Sequence, residues 1–368
     1  MRMNTISLCM IVKNEEAQLA DCLSSVEGIA DEIIIADTGS TDSTKKIAGK
    51  FTDKVYDFPW VDDFSAARNF SFSKATMDYI LWLDADDVLL PEDREKLKKL
   101  KEELDPAVDA VMMKYNIAFD KSGAVTFSYY RERLSRRERQ FLWREPVHEY
   151  LATGGKIIHT DIAVTHRKQK ASSSDRNLTI YRKILDGGGE LTPRGLYYYA
   201  RELKDHAQYA DAIQYFSMFL DGGKGWVEDN IAACNELGEC YRRENRRQEQ
   251  LTALTRAFSY DTPRAETCCA LGYAWKEKGD FKRAVFWFRL AGMLERPENS
   301  WGFFREDCWG FIPCIELAVC LDKLGQTQTA EQYNEMAGRI KPEDPAMLHN
   351  RAYFQSLKVA KQPEGQKT

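Results

Sequence analysis

Two carboxylates stand one residue apart in Asp84-Ala85-Asp86, directly after the apolar run Tyr79-Ile80-Leu81-Trp82-Leu83. A short apolar run of this kind is typical of a buried strand, so the pair is expected where that strand ends. Carboxylate oxygens suit Mg²⁺ or Mn²⁺, which fill their remaining positions with water and phosphate oxygens. The pair therefore predicts a divalent cation and a diphosphate ligand. The alternative is an acidic turn exposed to solvent, which would show the same three residues.

Polar residues also follow two earlier predicted strands. Residues 5–12 and 32–36 are short apolar runs with helical spacing between them, which predicts a parallel α/β sheet. Lys13-Asn14-Glu15-Glu16 comes after the first run and Asp37-Thr38-Gly39-Ser40-Thr41-Asp42 after the second. Ligands of open α/β sheets bind beyond the carboxyl ends of the strands. We therefore expect these strand ends to converge on one crevice.

The pattern becomes β-rich and mixed after about residue 108, with candidate strands at residues 110–118, 124–130 and 156–165. Five arginines fall within nine residues of this region: Arg131, Arg133, Arg136, Arg137 and Arg139. Such a cluster could face phosphate or an acidic acceptor, and it could equally be the charged edge of a solvated hairpin.

The second half of the chain contains a helical repeat. Leu237-Gly238 and Leu271-Gly272 recur at a distance of 34 residues, which is the tetratricopeptide period. Stacked helix pairs of this kind form a curved solenoid with a concave surface, whereas the alternative is a generic helical bundle. The expected organisation is an α/β domain at 1–170, a linker at 171–190, a helical repeat domain at 191–350 and a flexible tail at 351–368.

Composition restricts the class of protein. A formal net charge of −5 argues against nonspecific binding to nucleic acid, which needs a basic surface. The nine cysteines are odd in number and form no C-x-x-C pair, so we expect reduced thiols in the core rather than a zinc site. No apolar run approaches the roughly 18 residues that span a bilayer, and the N-terminus lacks the pattern of a secretory leader. These features predict a cytoplasmic protein without a transmembrane segment.

Four motifs, in order along the chain, resemble those of family 2 glycosyltransferases. They are Ile11-Val12-Lys13-Asn14-Glu15-Glu16, Asp37-Thr38-Gly39-Ser40-Thr41-Asp42, Asp63-Phe64-Ser65-Ala66-Ala67-Arg68-Asn69 and Leu83-Asp84-Ala85-Asp86-Asp87. The resemblance continues through Val147-His148-Glu149 and His166. The repeats beyond match a subgroup that includes bacterial peptide S-glycosyltransferases of the sublancin type. The resemblance implies a GT-A fold (Rossmann-like, as in nucleotide-diphospho-sugar transferases) followed by tetratricopeptide-like repeats.

The resemblance also implies a donor site for a UDP-sugar, such as UDP-glucose or UDP-N-acetylglucosamine, together with Mn²⁺ or Mg²⁺. Asp37 matches the position that contacts uracil, with Asn14, Glu15 and Glu16 on the nucleoside side and Arg68 near the diphosphate or base. Asp84 matches the carboxylate near ribose and metal-bound water, Asp86 the direct metal ligand and His166 the third residue of the metal site. Asp37 could instead form only a turn, and His166 could be a structural histidine.

The acceptor side has one carboxylate and one imidazole in the right motif. An attacking hydroxyl or thiol must lose its proton, and this family normally uses an inverting single displacement. Glu149 is the first candidate for the base and His148 the second, unless one of them only orients the other. Arg144-Glu145-Pro146 stands where the family commonly has Gly before Val-His-Glu, which leaves the loop geometry and the acceptor open.

Several functions remain open at this point. The first expectation is a Cys thiol or a Ser or Thr hydroxyl of a peptide or protein acceptor, held with help of the repeats, because solenoids present extended grooves. The alternatives are a saccharide or lipid-linked cell-envelope precursor as acceptor, and a noncatalytic scaffold. A nucleotidyltransferase would carry a Gly-rich basic loop where this chain has Lys13-Asn14-Glu15-Glu16. A homodimer could form through the repeats or the aromatic residues 301–304.

Overall fold

The computed structural model describes residues 3–119, 123, 125–167, 175–297 and 305–360. The chain divides into two compact units, Met1–Glu190 and Leu191–Thr368, and each is described by itself.

The first unit is a mixed sheet with helices. Its strands are β1 Ile6–Val12, β2 Glu32–Asp37, β3 Val55–Asp57, β4 Tyr79–Trp82, β5 Asp87–Leu89, β6 Ala110–Phe119, β7 Val125–Arg136, β8 Trp143–Arg144, β9 Tyr150–Leu151 and β10 Ile157–His166. Its helices are α1 Leu19–Ser25, α2 Thr44–Ala48, α3 Phe64–Ser73, α4 Pro91–Glu103 and α5 Arg176–Asp186.

Eight of these strands form one sheet in the order β3-β2-β1-β4-β7-β6-β10-β5. The strands β1 to β4 are parallel to their neighbours within this group, as the alternating sequence pattern predicts. β7 then runs antiparallel to both β4 and β6. Apolar side chains of β1 and β4 are buried in the main core with those of α1. Because β1 is parallel to both β2 and β4, the carboxyl ends of these strands lie at one edge of the sheet.

The short strand β5 follows β4 in the chain but lies at the far edge of the sheet. It pairs with the end of β10, in the register that places His166 opposite Asp87. The backbone N–H of Arg167 also donates to the carbonyl of Asp86 at 2.7 Å. The sheet order therefore brings the acidic turn after β4 to the last residue of β10.

β7 is longer than the strand predicted at residues 124–130, because it continues to Arg136. The five arginines consequently do not share one environment. Arg131 is partly buried and Arg133 fully buried, whereas Arg136 forms an ion pair with the exposed Glu138 at 2.5 Å. The solvated-hairpin interpretation thus applies to only part of the cluster.

The second unit is helical. Its helices are α6 Pro193–Asp205, α7 Tyr209–Asp221, α8 Val227–Arg243, α9 Arg247–Arg256, α10 Ala265–Glu277, α11 Phe281–Met293, α12 Phe311–Lys323, α13 Thr327–Ile340 and α14 Pro345–Ala360. Gly238 and Gly272 explain the repeat, because a Cβ added at either would lie 2.7 Å from Leu254 or Phe288 of the paired helix. Small residues at these two positions let the helices of each pair approach closely, and the tetratricopeptide-like architecture is confirmed.

Two expected boundaries need correction. The segment 171–190 was expected to be a linker, but α5 occupies most of it and belongs to the first unit. The tail expected from residue 351 is helical as far as Ala360, because α14 continues through it and buries Phe354. The remainder of the tail and residues 301–304, named above for a homodimer, lie outside the described residues.

All nine cysteines are unpaired and buried, which confirms the expectation of reduced thiols in the core. Among the described residues, no helix is long and apolar enough to cross a membrane.

Candidate active site

A cavity of about 460 Å³ opens at the carboxyl ends of β1, β2 and β4. Seven of the residues predicted for the site line it: Glu15, Arg68, Asp84, Asp86, His148, Glu149 and His166. Glu15 after β1, Thr38 after β2 and Asp84 after β4 all line this crevice, so the ends of three strands meet there.

Helix α3 places Arg68 in this cavity. The helix begins after Asp63, whose carboxylate accepts a hydrogen bond from the N–H of Ala66 at 2.9 Å and so caps the first turn. One turn further, the amide of Asn69 exchanges two hydrogen bonds with the backbone of Trp143, at 3.0 and 2.8 Å. The helix is thus fixed to β8, and the guanidinium of Arg68 lies between the rings of Trp82 and Trp143, 4.9 and 4.7 Å from their centroids.

Arg68 joins two of the predicted site carboxylates. Its Nε donates to Oε1 of Glu149 at 2.7 Å, and its Nη2 donates to Oδ1 of Asp84 at 2.8 Å. Burial alone would raise the pKa of Asp84, but the guanidinium groups of Arg68 and Arg133 lower it to about 2. Asp84 is therefore ionised, and the candidate base Glu149 is held by an ion pair on its inner side.

Asp87 closes the acidic turn. Its Oδ2 accepts a hydrogen bond from the N–H of Asp84 at 3.1 Å, and its own N–H donates to the carbonyl of Asp84 at 3.0 Å. The same carboxylate pairs with Nη1 of Arg133 at 2.9 Å, and neither side chain has any exposed surface. The guanidinium of Arg133 lies 3.9 Å from the ring centroid of Trp82 and 4.3 Å from that of Tyr115.

His166 lies beside this turn. Its Nδ1 is 3.5 Å from Oδ1 of Asp86, 3.6 Å from Oδ1 of Asp87 and 3.1 Å from the hydroxyl of Tyr115. The carboxylate of Asp86, with a smaller contribution from Asp87, raises the pKa of His166 to about 9, because both carboxylates stabilise the imidazolium. The neutral imidazole, which binds a cation, would replace it when the cation itself balances these carboxylates.

The residues fit a divalent cation. Asp86, Asp87 and His166 each offer one ligand atom, and these atoms all lie within 4.8 Å of one another. Oδ1 of Asp87 is buried without a hydrogen-bond partner among the described residues, so a cation would give this oxygen a ligand contact. Two carboxylates and one imidazole form a donor set that suits Mn²⁺ and Mg²⁺.

The nucleoside side of the predicted site is built from the loops after β1 and β2. Oδ1 of Asn14 accepts from the N–H of Thr41 at 2.8 Å, and a carboxylate oxygen of Glu16 accepts from the N–H of Ser43 at 2.9 Å. These side chains bind the neighbouring loop, and Asn14, Glu16 and Asp37 do not line the cavity itself.

Asp37 forms the turn that was given as the alternative to its predicted ligand role. Its Oδ1 accepts from the N–H groups of Gly39 and Ser40 at 3.0 and 2.9 Å and so forms the turn. Its Oδ2 is buried without a hydrogen-bond partner in the part of the chain that the structure describes. One oxygen is therefore structural, and the other is unsatisfied.

The loop that carries the candidate bases has two residues with positive φ angles. Glu145 and His148 both have positive φ angles, 74° and 54°. The carbonyl of Pro146 accepts a hydrogen bond from the N–H of Phe64 at 2.9 Å, which attaches the loop to the start of α3. Arg144-Glu145-Pro146 thus forms a fixed turn in place of the usual Gly, and both His148 and Glu149 line the cavity.

Some residues of the site were not identified from the sequence. Asp87 was part of a quoted motif without a role, and Tyr115, Trp82 and Trp143 were not identified as site residues. The spacing of Arg131 and Arg133 could have indicated that both face the site, because residues two apart in a strand share a face. Both guanidinium groups lie over the ring of Trp82, at 4.9 and 3.9 Å.

Residues 7–162 match the family model described as Glycosyl transferase family 2. A TPR repeat-containing protein of Synechococcus elongatus is 38% identical over 147 residues, 40% of this chain and 35% of the relative. The SPbeta prophage-derived glycosyltransferase SunS of Bacillus subtilis is 28% identical over 234 residues, 60% of this chain and 54% of the relative. The chain thus spans about half or less of the length of these relatives.

One similar solved structure is glucosyl-3-phosphoglycerate synthase from Mycobacterium tuberculosis, in complex with Mg²⁺ and uridine diphosphate. The match covers 52% of this chain and 82% of the chain of that structure. The sequence identity is 18% and the TM-score 0.35.

Proposed function

We propose that the protein is an inverting, metal-dependent hexosyltransferase, because residues 7–162 match the family model described as Glycosyl transferase family 2. The proposed donor is a UDP-sugar, with UDP-glucose and UDP-N-acetylglucosamine as the first candidates. The proposed acceptor is a Cys thiol or a Ser or Thr hydroxyl of a peptide or protein. The cytoplasm is the proposed compartment, because nine free cysteines fit a reducing environment.

The observation that carries this proposal is the ion-pair bridge of Arg68. It joins Asp84, on the proposed donor side, to Glu149, the candidate base, through contacts of 2.8 and 2.7 Å. A base and a donor-binding carboxylate fixed to one rigid cation can hold donor and acceptor in a constant geometry. An acidic turn without this connection to a base would be evidence for ligand binding but not for a reaction.

The proposed step is a single displacement at the anomeric carbon. The acceptor sulfur or oxygen forms a bond to that carbon while the bond from the carbon to the diphosphate oxygen breaks. The acceptor proton passes to a carboxylate oxygen of Glu149, with His148 as the second candidate. The nucleoside diphosphate leaves with the electron pair of the broken bond, so its negative charge must be stabilised.

Asp86, Asp87 and His166 would hold the divalent cation. When bound, such a cation supplies positive charge that stabilises diphosphate oxygens without a proton.

The peptide acceptor is supported by the second unit. The helices α6, α8 and α10 line a cavity of about 670 Å³ that is rich in charged side chains. Extended grooves in helical repeats suit peptide chains. We propose that this surface helps to bind the acceptor, and a saccharide or lipid-linked acceptor stays the alternative.

The first test is the melting temperature of the full chain with UDP, GDP, UDP-glucose and UDP-N-acetylglucosamine, each with and without Mn²⁺. Ligands that bind the native state raise the melting temperature. We expect a rise with UDP or a UDP-sugar that depends on Mn²⁺.

Asp86→Asn is the matched variant, because it keeps the shape of the side chain and removes its charge. The rise should disappear in this variant while its melting temperature without ligand stays close to that of the wild type. No response of the wild-type protein to any nucleotide would overturn the proposal. Hydrolysis of the donor by wild type but not by Glu149→Gln would support the role of Glu149.

A further inference from the structure

Arg68 already binds two carboxylates. Two of its nitrogens bind Glu149 and Asp84, and its guanidinium is enclosed by two tryptophan rings. Its side chain is only 8% exposed. If Arg68 turned to a diphosphate, it would leave Glu149, whose side chain is only 14% exposed, without this partner, which is unfavourable. Arg68 is thus better placed to hold the site together than to follow a leaving group.

Arg131 differs from Arg68 in this respect. It lies on β7 at the wall of the same cavity, with its guanidinium 4.9 Å from the ring centroid of Trp82. Its closest carboxylate contact among the described residues is a 3.9 Å approach of Nε to Glu132, which is beyond hydrogen-bond distance. That carboxylate is itself engaged, because Oε1 of Glu132 accepts from the N–H of Leu151 at 3.0 Å.

The side chain of Arg131 is 24% exposed and, within the described ranges, no hydrogen bond from its guanidinium is seen, so partial burial is combined with N–H groups that can bind a ligand. A guanidinium presents several N–H groups in a planar fork that matches two oxygens of a phosphate. Contact with the ring of Trp82 restricts its movement, which lowers the entropy that binding would cost. The other arginines of the cluster lack this placement: Arg133 is fully buried against Asp87, and Arg136 pairs with Glu138.

We infer that Arg131 binds the diphosphate of the donor and stabilises the charge that develops on the leaving nucleoside diphosphate. This inference rests on the proposed function and assigns a residue to it. Arg68 keeps its hydrogen bonds to Asp84 and to Oε1 of Glu149 throughout the reaction, so Glu149 stays oriented while Arg131 donates hydrogen bonds to the departing oxygens. The two arginines thus divide the work: Arg68 positions the site, and Arg131 contacts the substrate.

The experiment compares UDP with uridine, because they differ only in the diphosphate. Dissociation constants are measured by calorimetry with Mg²⁺ for wild type, Arg131→Gln and Arg136→Gln. Arg136→Gln is the matched control, since it removes the same charge from the same strand outside the cavity. We expect Arg131→Gln to weaken UDP at least tenfold and to leave uridine unchanged, while Arg136→Gln changes neither.

A second variant covers the case in which Arg131→Gln disturbs the fold. Arg131→Lys keeps a positive charge but loses the planar fork, so its affinity for UDP should lie between those of wild type and Arg131→Gln. Equal affinity of wild type and both Arg131 variants for UDP would overturn the inference while the proposed function stands. If wild type binds no nucleoside diphosphate, the proposed function itself fails, and the inference with it.

Discussion

The two units differ in how far their ion pairs are exposed to water. In the first unit, Arg133 and Asp87 form an ion pair without any exposed surface, and the side chain of Arg68 is 8% exposed. In the second unit, the larger cavity is lined by one buried pair, Arg264 and Glu228 with 6% and 11% of their side chains exposed, and by further pairs that lie in contact with water. Arg242 and Glu239, for example, are joined at 2.7 Å with 34% and 35% of their side chains exposed.

This difference separates two kinds of site. Charges held away from water cannot rearrange cheaply, so they keep a fixed orientation toward a reacting group. Ion pairs in contact with water contribute little to stability and can exchange partners with a ligand at small cost. The first unit is thus organised for chemistry, and the second is suited to exchange its ion pairs for those of a bound chain.

Removal of Arg133 should have the largest effect on stability. Arg133→Met leaves Asp87 buried without its ion-pair partner, and we expect a loss of about 3–5 kcal/mol in the free energy of unfolding. Urea denaturation of the full chain, followed by a probe of the first unit, measures this loss. The double variant Arg133→Met with Asp87→Asn removes both charges and should recover part of the stability. A double variant as unstable as the single one would contradict the role of the ion pair.

The buried carboxylate of Glu32 should make the first unit sensitive to acid. Burial raises the pKa of Glu32, but hydrogen bonds from Lys54, Ser7 and Thr76 outweigh it and lower the pKa from 4.5 to about 2. A lowered pKa in the folded state means that the stabilisation is complete above pH 4.5 and is lost as the pH falls toward 2.

The loss should amount to roughly 3 kcal/mol, because one pKa unit corresponds to about 1.4 kcal/mol. Glu32→Gln should be less stable at neutral pH and should lose less stability between pH 4.5 and 2 than wild type. Glu95→Gln is the matched control on the surface, since Glu95 is 71% exposed and pairs with Lys98 of its own helix. If wild type and Glu32→Gln show the same acid dependence, the role of Glu32 is wrong.

The sequence predicted the parts of the site that depend on local pattern. The strands β1, β2 and β4 could be predicted from short apolar runs, and their polar ends from the residues that follow. The helix pairs followed from two glycines 34 residues apart. These features were accessible because each depends on residues that are close in sequence or on a fixed period.

The partners of the acidic turn could not be predicted in this way. Asp87 meets His166 because β5 crosses to the far edge of the sheet, and that order is decided by tertiary packing. Arg133 belongs to a run of arginines that resembles a solvated hairpin, and only the antiparallel pairing of β7 with β4 and β6 buries it. Arg133 is 46 residues and His166 is 79 residues from Asp87 in the sequence, so no local pattern links them.

The second unit should depend on close packing rather than on charge. Gly272→Ala places a methyl group 2.7 Å from the buried ring of Phe288, so the paired helices must move apart. We expect a loss of about 1–3 kcal/mol in the free energy of unfolding, measured by denaturation. Gly292→Ala is the matched control, since its methyl group would meet only Pro313 at an ordinary 3.4 Å. Equal effects of the two variants would contradict this explanation.

The smallest effect is expected from the exposed ion pairs of the second unit. Arg242→Gln removes contacts of 2.7 Å to Glu239 and 3.5 Å to Glu277, and the free energy of unfolding should fall by less than about 1 kcal/mol. Added salt should reduce this effect further, because exposed charges are screened, while the effect of Arg133→Met should hardly depend on salt. Denaturation at about 0.1 and 1 M salt separates the two cases. The opposite result is that Arg242→Gln lowers the free energy of unfolding as much as Arg133→Met and is equally insensitive to salt. The larger cavity would then be a rigid charged site like that of the first unit. That result would contradict the idea that its ion pairs exchange with those of a bound peptide.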